Sequence, residues 1–276
     1  MTIAAEREFA PIDGAHIHYE IAGSGAPFVM IHAGVADSRM WQHELDHFAK
    51  RYRVLRYDMR GYGRSEPVAG EFTHVADLRA LLRHVRFDAP IVAMGCSMGG
   101  GIAMDLALRA PRYVRALVMV GSGPSGLALD VPTPALFDEV KRADAAGDLD
   151  RVCELETQIW FDGIGRRSDA VDPAMRRLAY EMNRNVLAHE AKKLGALVHD
   201  GEAGAATRLH EIEIPVLIVV GKHDIPYIHA AADYMLERLP HARRVVIDDA
   251  AHLPNLDQPD EFRRIVDAFL DAHARS

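Results

Sequence analysis

The chain has 276 residues, 49% of them apolar, which suffices for one large core with a small second lobe and excludes a disordered or fibrous protein. A formal charge of −8 arises from 40 acidic against 32 basic residues with no lysine or arginine run, so nucleic acid is not an expected partner. The apolar run at 214–220 falls far short of the ~20 residues of a bilayer span, and two cysteines without paired spacing make neither a disulfide scaffold nor a zinc site.

In chain order, residues 1–8 lack a basic start followed by an apolar stretch, which sets the expectation of a cytoplasmic protein. Strand-like runs at 7–12 and 15–21 flank Asp13-Gly14, a dipeptide suited to a tight hairpin. Short apolar runs at 28–31, 53–57, 91–94, 116–120, 216–220 and 244–247 read as buried strands. Between them, 40–51, 75–85, 98–109, 228–239 and 261–273 carry helical apolar spacing. Such alternation predicts an α/β protein with a mostly parallel, doubly wound sheet. It breaks between about 124 and 208, where no strand is evident and charged helical stretches carry Phe137, Trp160, Phe161, Tyr180 and Met182. We read a helical cap at 124–208 inserted into a core made of 1–123 and 209–276.

Gly95-Cys96-Ser97-Met98-Gly99 follows one predicted strand and opens a predicted helix. A serine at the apex of so sharp a turn needs small neighbours, and the helix that follows aims free N–H groups at the same point. Ser97 is the expected nucleophile. Cys96, one position earlier, is expected to be buried as a small apolar group. Serine needs a base, and of 15 histidines His252 lies in the loop between the last predicted strand and the last helix, at the sheet end where the serine turn opens. Asp224 follows a wholly apolar strand at its carboxyl end, one strand before the histidine loop, and is the preferred partner of His252, with Asp248 and Asp249 as nearer alternatives in sequence. The negative charge of acyl transfer calls for backbone donors. Met98 N–H is one, and the loop His32-Ala33-Gly34-Val35 supplies the other, Gly34 being preferred over Ala33 and Val35.

These residues, in the order serine, acid, histidine, resemble the α/β-hydrolase fold superfamily over nearly the whole chain. Asp58-Met-Arg60-Gly61-Tyr-Gly63-Arg-Ser65-Glu-Pro67 is similar to the family's turn after the fourth strand, and Trp41 and the stretch from His252 to Phe262 also sit where the family has similar residues. The resemblance implies an N-terminal hairpin, a capped core and a serine esterase or lactonase that needs no cofactor and no metal. Small-molecule esters or lactones are the expected partners, with no membrane partner, and an oligomer is left open. Haloalkane dehalogenases and epoxide hydrolases of this fold attack with aspartate, unlike Ser97. Carbon–carbon bond hydrolases usually carry a glycine run where this chain has Ala33 and one glycine. The stretch 54–61 and the Trp160-Phe161 pair resemble the 3-oxoadipate enol-lactonase branch, and Trp160 and Phe161 are expected to line the pocket. Arg166 and Arg167 are read either as receivers of a substrate carboxylate or as a solvated face. Perhydrolases, lyases and a non-catalytic ligand receptor use the same scaffold.

Overall fold

A computed structural model describes residues 5–198 and 204–273. Eight strands form its main sheet: β1 (Glu6–Ile12), β2 (Ala15–Ala22), β3 (Ala26–Ile31), β4 (Tyr52–Tyr57), β5 (Ile91–Cys96), β6 (Val114–Val120), β7 (Val216–Gly221) and β8 (Ala242–Ile247). Their order is β1-β2-β4-β3-β5-β6-β7-β8, with β2 antiparallel to both β1 and β4 and every other pairing parallel. Asp13 and Gly14 both take positive φ, as the two-residue hairpin turn requires.

The helices follow as α1 (Gln42–Phe48), α2 (His74–His84), α3 (Met98–Arg109), α4 (Leu136–Ala145), α5 (Leu149–Thr157), α6 (Pro173–Glu190), α7 (Pro226–Arg238), α8 (Pro254–Asp257) and α9 (Pro259–His273). The sheet divides the core in two. In β3, Val29 and Ile31 join Leu78, Ile102 and Met235 on one face, where α2, α3 and α7 lie. Phe28 and Met30 join Phe48, Phe262 and Phe269 on the other, where α1 and α9 lie. Alternate residues therefore serve opposite layers, which is why the central strands read as unbroken apolar runs. Trp41 is fully buried against Phe262, ring centroids 6.3 Å apart.

After β4 the chain turns on Asp58, whose carboxylate accepts from Ser38 N–H (2.8 Å) and Arg64 N–H (2.9 Å) and meets His18 Nδ1 (3.0 Å). Burial alone would raise its pKa; these partners outweigh that and hold it well below the usual carboxylate range. Gly63, at positive φ, leaves room for that carboxylate where a Cβ would collide with it.

Between β6 and β7 lie α4, α5 and α6, packed through Ala143, Val152 and Leu155. Asp172 caps α6, accepting from Ala174 and Met175 N–H, and Pro173 occupies the first turn. The expectation of no strand in this stretch is corrected by one two-residue strand, Ala196–Leu197, which pairs in parallel with Glu71–Phe72. A strand so short, with its partner more than a hundred residues away, has no periodicity to betray it. Among the described residues no helix is long and apolar enough to cross a membrane.

Candidate active site

Ser97 lies between β5 and α3 with φ +52° and ψ −118°, a conformation that costs a non-glycine residue about 1–3 kcal/mol. The surroundings enforce it. A Cβ on Gly95 would strike Gly99 O, one on Gly99 would strike Ile31 O, and one on Gly100 would strike the Ser122 hydroxyl. Ser97 N–H donates to Val120 O (2.8 Å), and Ser122 Oγ donates to Ser97 O (2.6 Å). The turn is thus pinned on both sides with its hydroxyl at a cavity wall.

Met98 is the first residue of α3, so its N–H has no acceptor inside the helix. Gly34 packs on Met98, a Cβ there lying 3.7 Å from Met98 Cε. Ala33 N–H is directed at Met40 Sδ (3.4 Å), which removes Ala33 from the three donor candidates of this loop. His32 braces the loop from below: its Nδ1–H donates to Ala33 O (2.8 Å), and Met59 N–H donates to its Nε2 (3.0 Å). Burial lowers the pKa of His32, and this pattern of one donor and one acceptor is that of the neutral ring.

His252 Nδ1 stands 3.0 and 2.9 Å from the two carboxylate oxygens of Asp224. Both residues are buried, at 1% and 5% exposure, and Ile225 N–H also donates to the carboxylate (2.8 Å). The acids nearer in sequence do not approach the ring: Asp248 pairs on the surface with Lys222 (3.0 Å), and Asp249 is exposed. The loops of Asp224 and His252 interlock, because His223 N–H donates to Ala250 O (2.9 Å) and a Cβ on Gly221 would strike Ala251 O. Gly121, with φ +51°, sits beneath the pair; a Cβ there would lie 3.1 Å from His252 Nδ1 and 3.2 Å from Asp224 Oδ2. Gly121 also lines the cavity that Ser97 borders. The sequence reading missed this residue; its only trace is a glycine directly after an apolar strand.

Cys96 is fully buried with Sγ toward His252 O (3.6 Å), and burial, helped by Asp224, raises its pKa well above the usual thiol value. It stays a thiol beneath the site. Trp160 lies on the other side of the histidine, ring centroids 4.5 Å apart, and rests edge-on against Phe137 (5.7 Å). The expectation that Trp160 and Phe161 line the pocket is corrected: neither borders the cavity at Ser97, both border a void of about 10 Å³, and Phe161 is buried with Ala179 and Met182. A single π-turn over Gln158–Asp162, closed by Gly163 N–H to Gln158 O (3.0 Å), separates the two rings. Arg166 does not await a substrate carboxylate. It bonds Asp257 at two points (2.6 and 3.3 Å), and Asp257 accepts from Ala251 N–H (3.1 Å) beside the histidine. Arg167 is exposed and pairs with Asp169 (2.7 Å).

The cavity has a volume of about 380 Å³. His74, which sequence reasoning did not single out, stands in its wall between Phe72 (5.4 Å) and Tyr62 (6.3 Å). Burial lowers its pKa to about 4, and its Nδ1 has no hydrogen-bond partner among the described residues. Among the described residues no group of three or more His, Cys, Asp or Glu side chains is placed to hold a metal ion.

A strained serine between strand and helix, over an eight-stranded, mostly parallel sheet with an antiparallel edge, defines a class, and the chain belongs to the alpha/beta hydrolase fold family, which it matches over residues 26–259. Among known proteins it is similar to the pimeloyl-[acyl-carrier protein] methyl ester esterase of Nitrosomonas europaea, 29% identical over 274 residues covering 92% of this chain and 99% of that protein. The 2-hydroxy-6-oxo-6-(2'-aminophenyl)hexa-2,4-dienoic acid hydrolase of Metapseudomonas resinovorans is 26% identical, covering 96% and 91%. Among solved structures, the enol-lactonase from Burkholderia xenovorans LB400 shares the fold with a TM-score of 0.77 at 22% identity, over 95% of this chain and 99% of that one. Est816, described as an N-acyl homoserine lactone degrading enzyme, gives 0.74 at 25%, over 96% and 100%.

Proposed function

We propose that this protein is a serine hydrolase that cleaves a small carboxylic ester through an acyl-enzyme, with Ser97, His252 and Asp224 as its catalytic residues. The observation that carries the reading is the buried contact of His252 Nδ1 with both oxygens of Asp224 behind a strained serine. With its Nδ1–H held by the carboxylate, the ring keeps its Nε2 lone pair free to take the Ser97 proton as Oγ attacks the carbonyl carbon. Negative charge on the carbonyl oxygen is received by the N–H groups of Gly34 and Met98, each such donor contributing about 3 kcal/mol in comparable sites. Nε2–H then protonates the departing alcohol, and water, deprotonated by the same nitrogen, releases the acid. No cofactor enters these steps. Residues 124–208 act as the cap, and Trp160 shields the histidine from bulk water.

A lactone is the second reading, favoured by the likeness to Est816. The chemistry is unchanged except that the alcohol stays tethered to the acyl group. The test is turnover of a panel of p-nitrophenyl esters and small lactones by wild type and Ser97→Ala, with fluorophosphonate labelling. Turnover and labelling by wild type alone support the mechanism. A wild type that neither labels nor cleaves any member overturns it in favour of a lyase or a ligand receptor.

A further inference from the structure

The cavity that Ser97 borders is elongated. Met98, Gly101, Ile102, Asp105 and Arg109 all line it, and their spacing of three and four marks one face of α3. The space therefore runs alongside the helix rather than ending above the serine. From Met98 to Asp105 the helical rise amounts to about 10 Å, room for an extended chain of about six to eight carbons. The facing walls over this length are Val75 of α2, Ile228 and Tyr227 of α7, and Leu197 with Val198. These offer apolar surface; Thr73 and His74, at the start of α2, line the cavity too and are polar. Gly101 lies at mid-length, and among the described residues a Cβ there would meet only Gly123 O, at 3.5 Å; the missing side chain keeps the passage open. At the far end the character changes to polar: Ser125 Oγ donates to Asp105 (2.6 Å) and accepts from Ala205 N–H (2.9 Å), and Arg109 stands one turn further on.

We propose that this channel along α3 holds one unbranched chain of the ester, with the scissile carbonyl at Ser97, the chain passing over Gly101, and its end beside Asp105 and Ser125. The proposal rests on the serine-hydrolase reading and narrows its substrate class from any small ester to esters with one medium-length linear arm. An apolar channel closed by charged groups sets an optimum length, because each added methylene gains burial until the chain meets Asp105.

The test measures kcat/KM over two series, p-nitrophenyl esters from acetate to dodecanoate and acetate esters of n-alcohols from methanol to decanol. For wild type, one series is expected to rise to a maximum at about six to eight carbons and fall beyond it. In Gly101→Leu the branched side chain fills the passage, so the ratio of that optimal ester to its shortest homologue is expected to drop by about tenfold or more, with Gly101→Ala between the two. Ile228→Phe narrows the opposite wall and is expected to do the same should Gly101→Leu fail to fold. A wild type that cleaves short esters but shows no maximum in either series overturns the channel and leaves the hydrolase reading standing. So does a blocked variant with an unchanged ratio. A wild type inert toward every ester and toward fluorophosphonate overturns both.

Discussion

Arg166 and Asp257, far apart in sequence, form a two-point ion pair with side chains only 10% and 3% exposed, and Asp257 holds Ala251 N–H, one residue before His252. The same stretch presses on the site twice more. Ile164 N–H donates to His223 O (3.1 Å), and Gly163, at positive φ, packs against His223 and Ala251 where no side chain fits. Removing the guanidinium leaves a buried carboxylate unpaired, which typically costs about 3–5 kcal/mol. Arg166→Met is therefore expected to lower the denaturation midpoint and to reduce kcat more than it raises KM, whereas the double variant Arg166→Met, Asp257→Asn recovers part of the stability. Equal kcat in wild type and Arg166→Met would show that the pair does not steady the histidine loop.

Asp224→Asn keeps the shape of the acid and reverses the demand on the ring, since the amide presents a donor to Nδ1 and favours the tautomer whose proton sits on Nε2. In comparable sites this costs about 10⁴-fold in kcat. A loss of at least about a hundredfold is expected here, with KM nearly unchanged and fluorophosphonate labelling slowed in parallel. Retention of wild-type kcat would pass the orienting role to another acid.

The side chain of Glu44 is fully buried, with Oε2 3.3 Å from Asn255 Nδ2 and Oε1 3.8 Å from the Arg263 guanidinium but without a hydrogen bond among the described residues, and burial raises its pKa to about 8. Between about pH 4.5 and 8 the unfolded chain releases a proton that the fold keeps. Stability therefore falls as pH rises through this window, with a slope approaching about 1.4 kcal/mol per pH unit from this group alone. Glu44→Gln is expected to flatten the fall, so urea midpoints at pH 5, 6.5 and 8 converge in the variant. Parallel profiles for the two proteins would remove Glu44 as the titrating group.

Cys96 and Cys153 are both free and buried, and burial raises both thiol pKa values, that of Cys153 to about 12. Neither is a thiolate at pH 8. Iodoacetamide is expected to leave the native protein unlabelled and active and to label both cysteines in urea. Fast native labelling at Cys96 would reopen it as a nucleophile.

Much of the architecture was legible because it is local. β5 and β7 are unbroken apolar runs, and the turn around Ser97 is written in consecutive small residues. Asp224 was preferred over Asp248 and Asp249 because it follows an apolar strand at its carboxyl end, and its carboxylate lies 2.9 Å from His252 Nδ1. What the sequence hid depends on distance or on hydrogen-bond register. An apolar pattern at helical spacing does not distinguish an α-turn from the π-turn that sends Trp160 to the histidine and Phe161 into the core. Arg166 and Arg167 are adjacent and alike as letters; only the tertiary contact with Asp257 separates a buried clamp from a surface charge. The strand Ala196–Leu197 and the wall position of His74 likewise depend on partners that no short window contains.

The crowding around Ser97 also bears on how such a protein changes over generations. Gly95, Gly99 and Gly100 each abut backbone or a fixed hydroxyl, so nearly every mutation there is lost with the fold. The walls facing α3 come instead from the starts of α2 and α7 and from a strand barely two residues long. A chain that keeps this turn is bound to its small residues, whatever stands along the rest of the cavity.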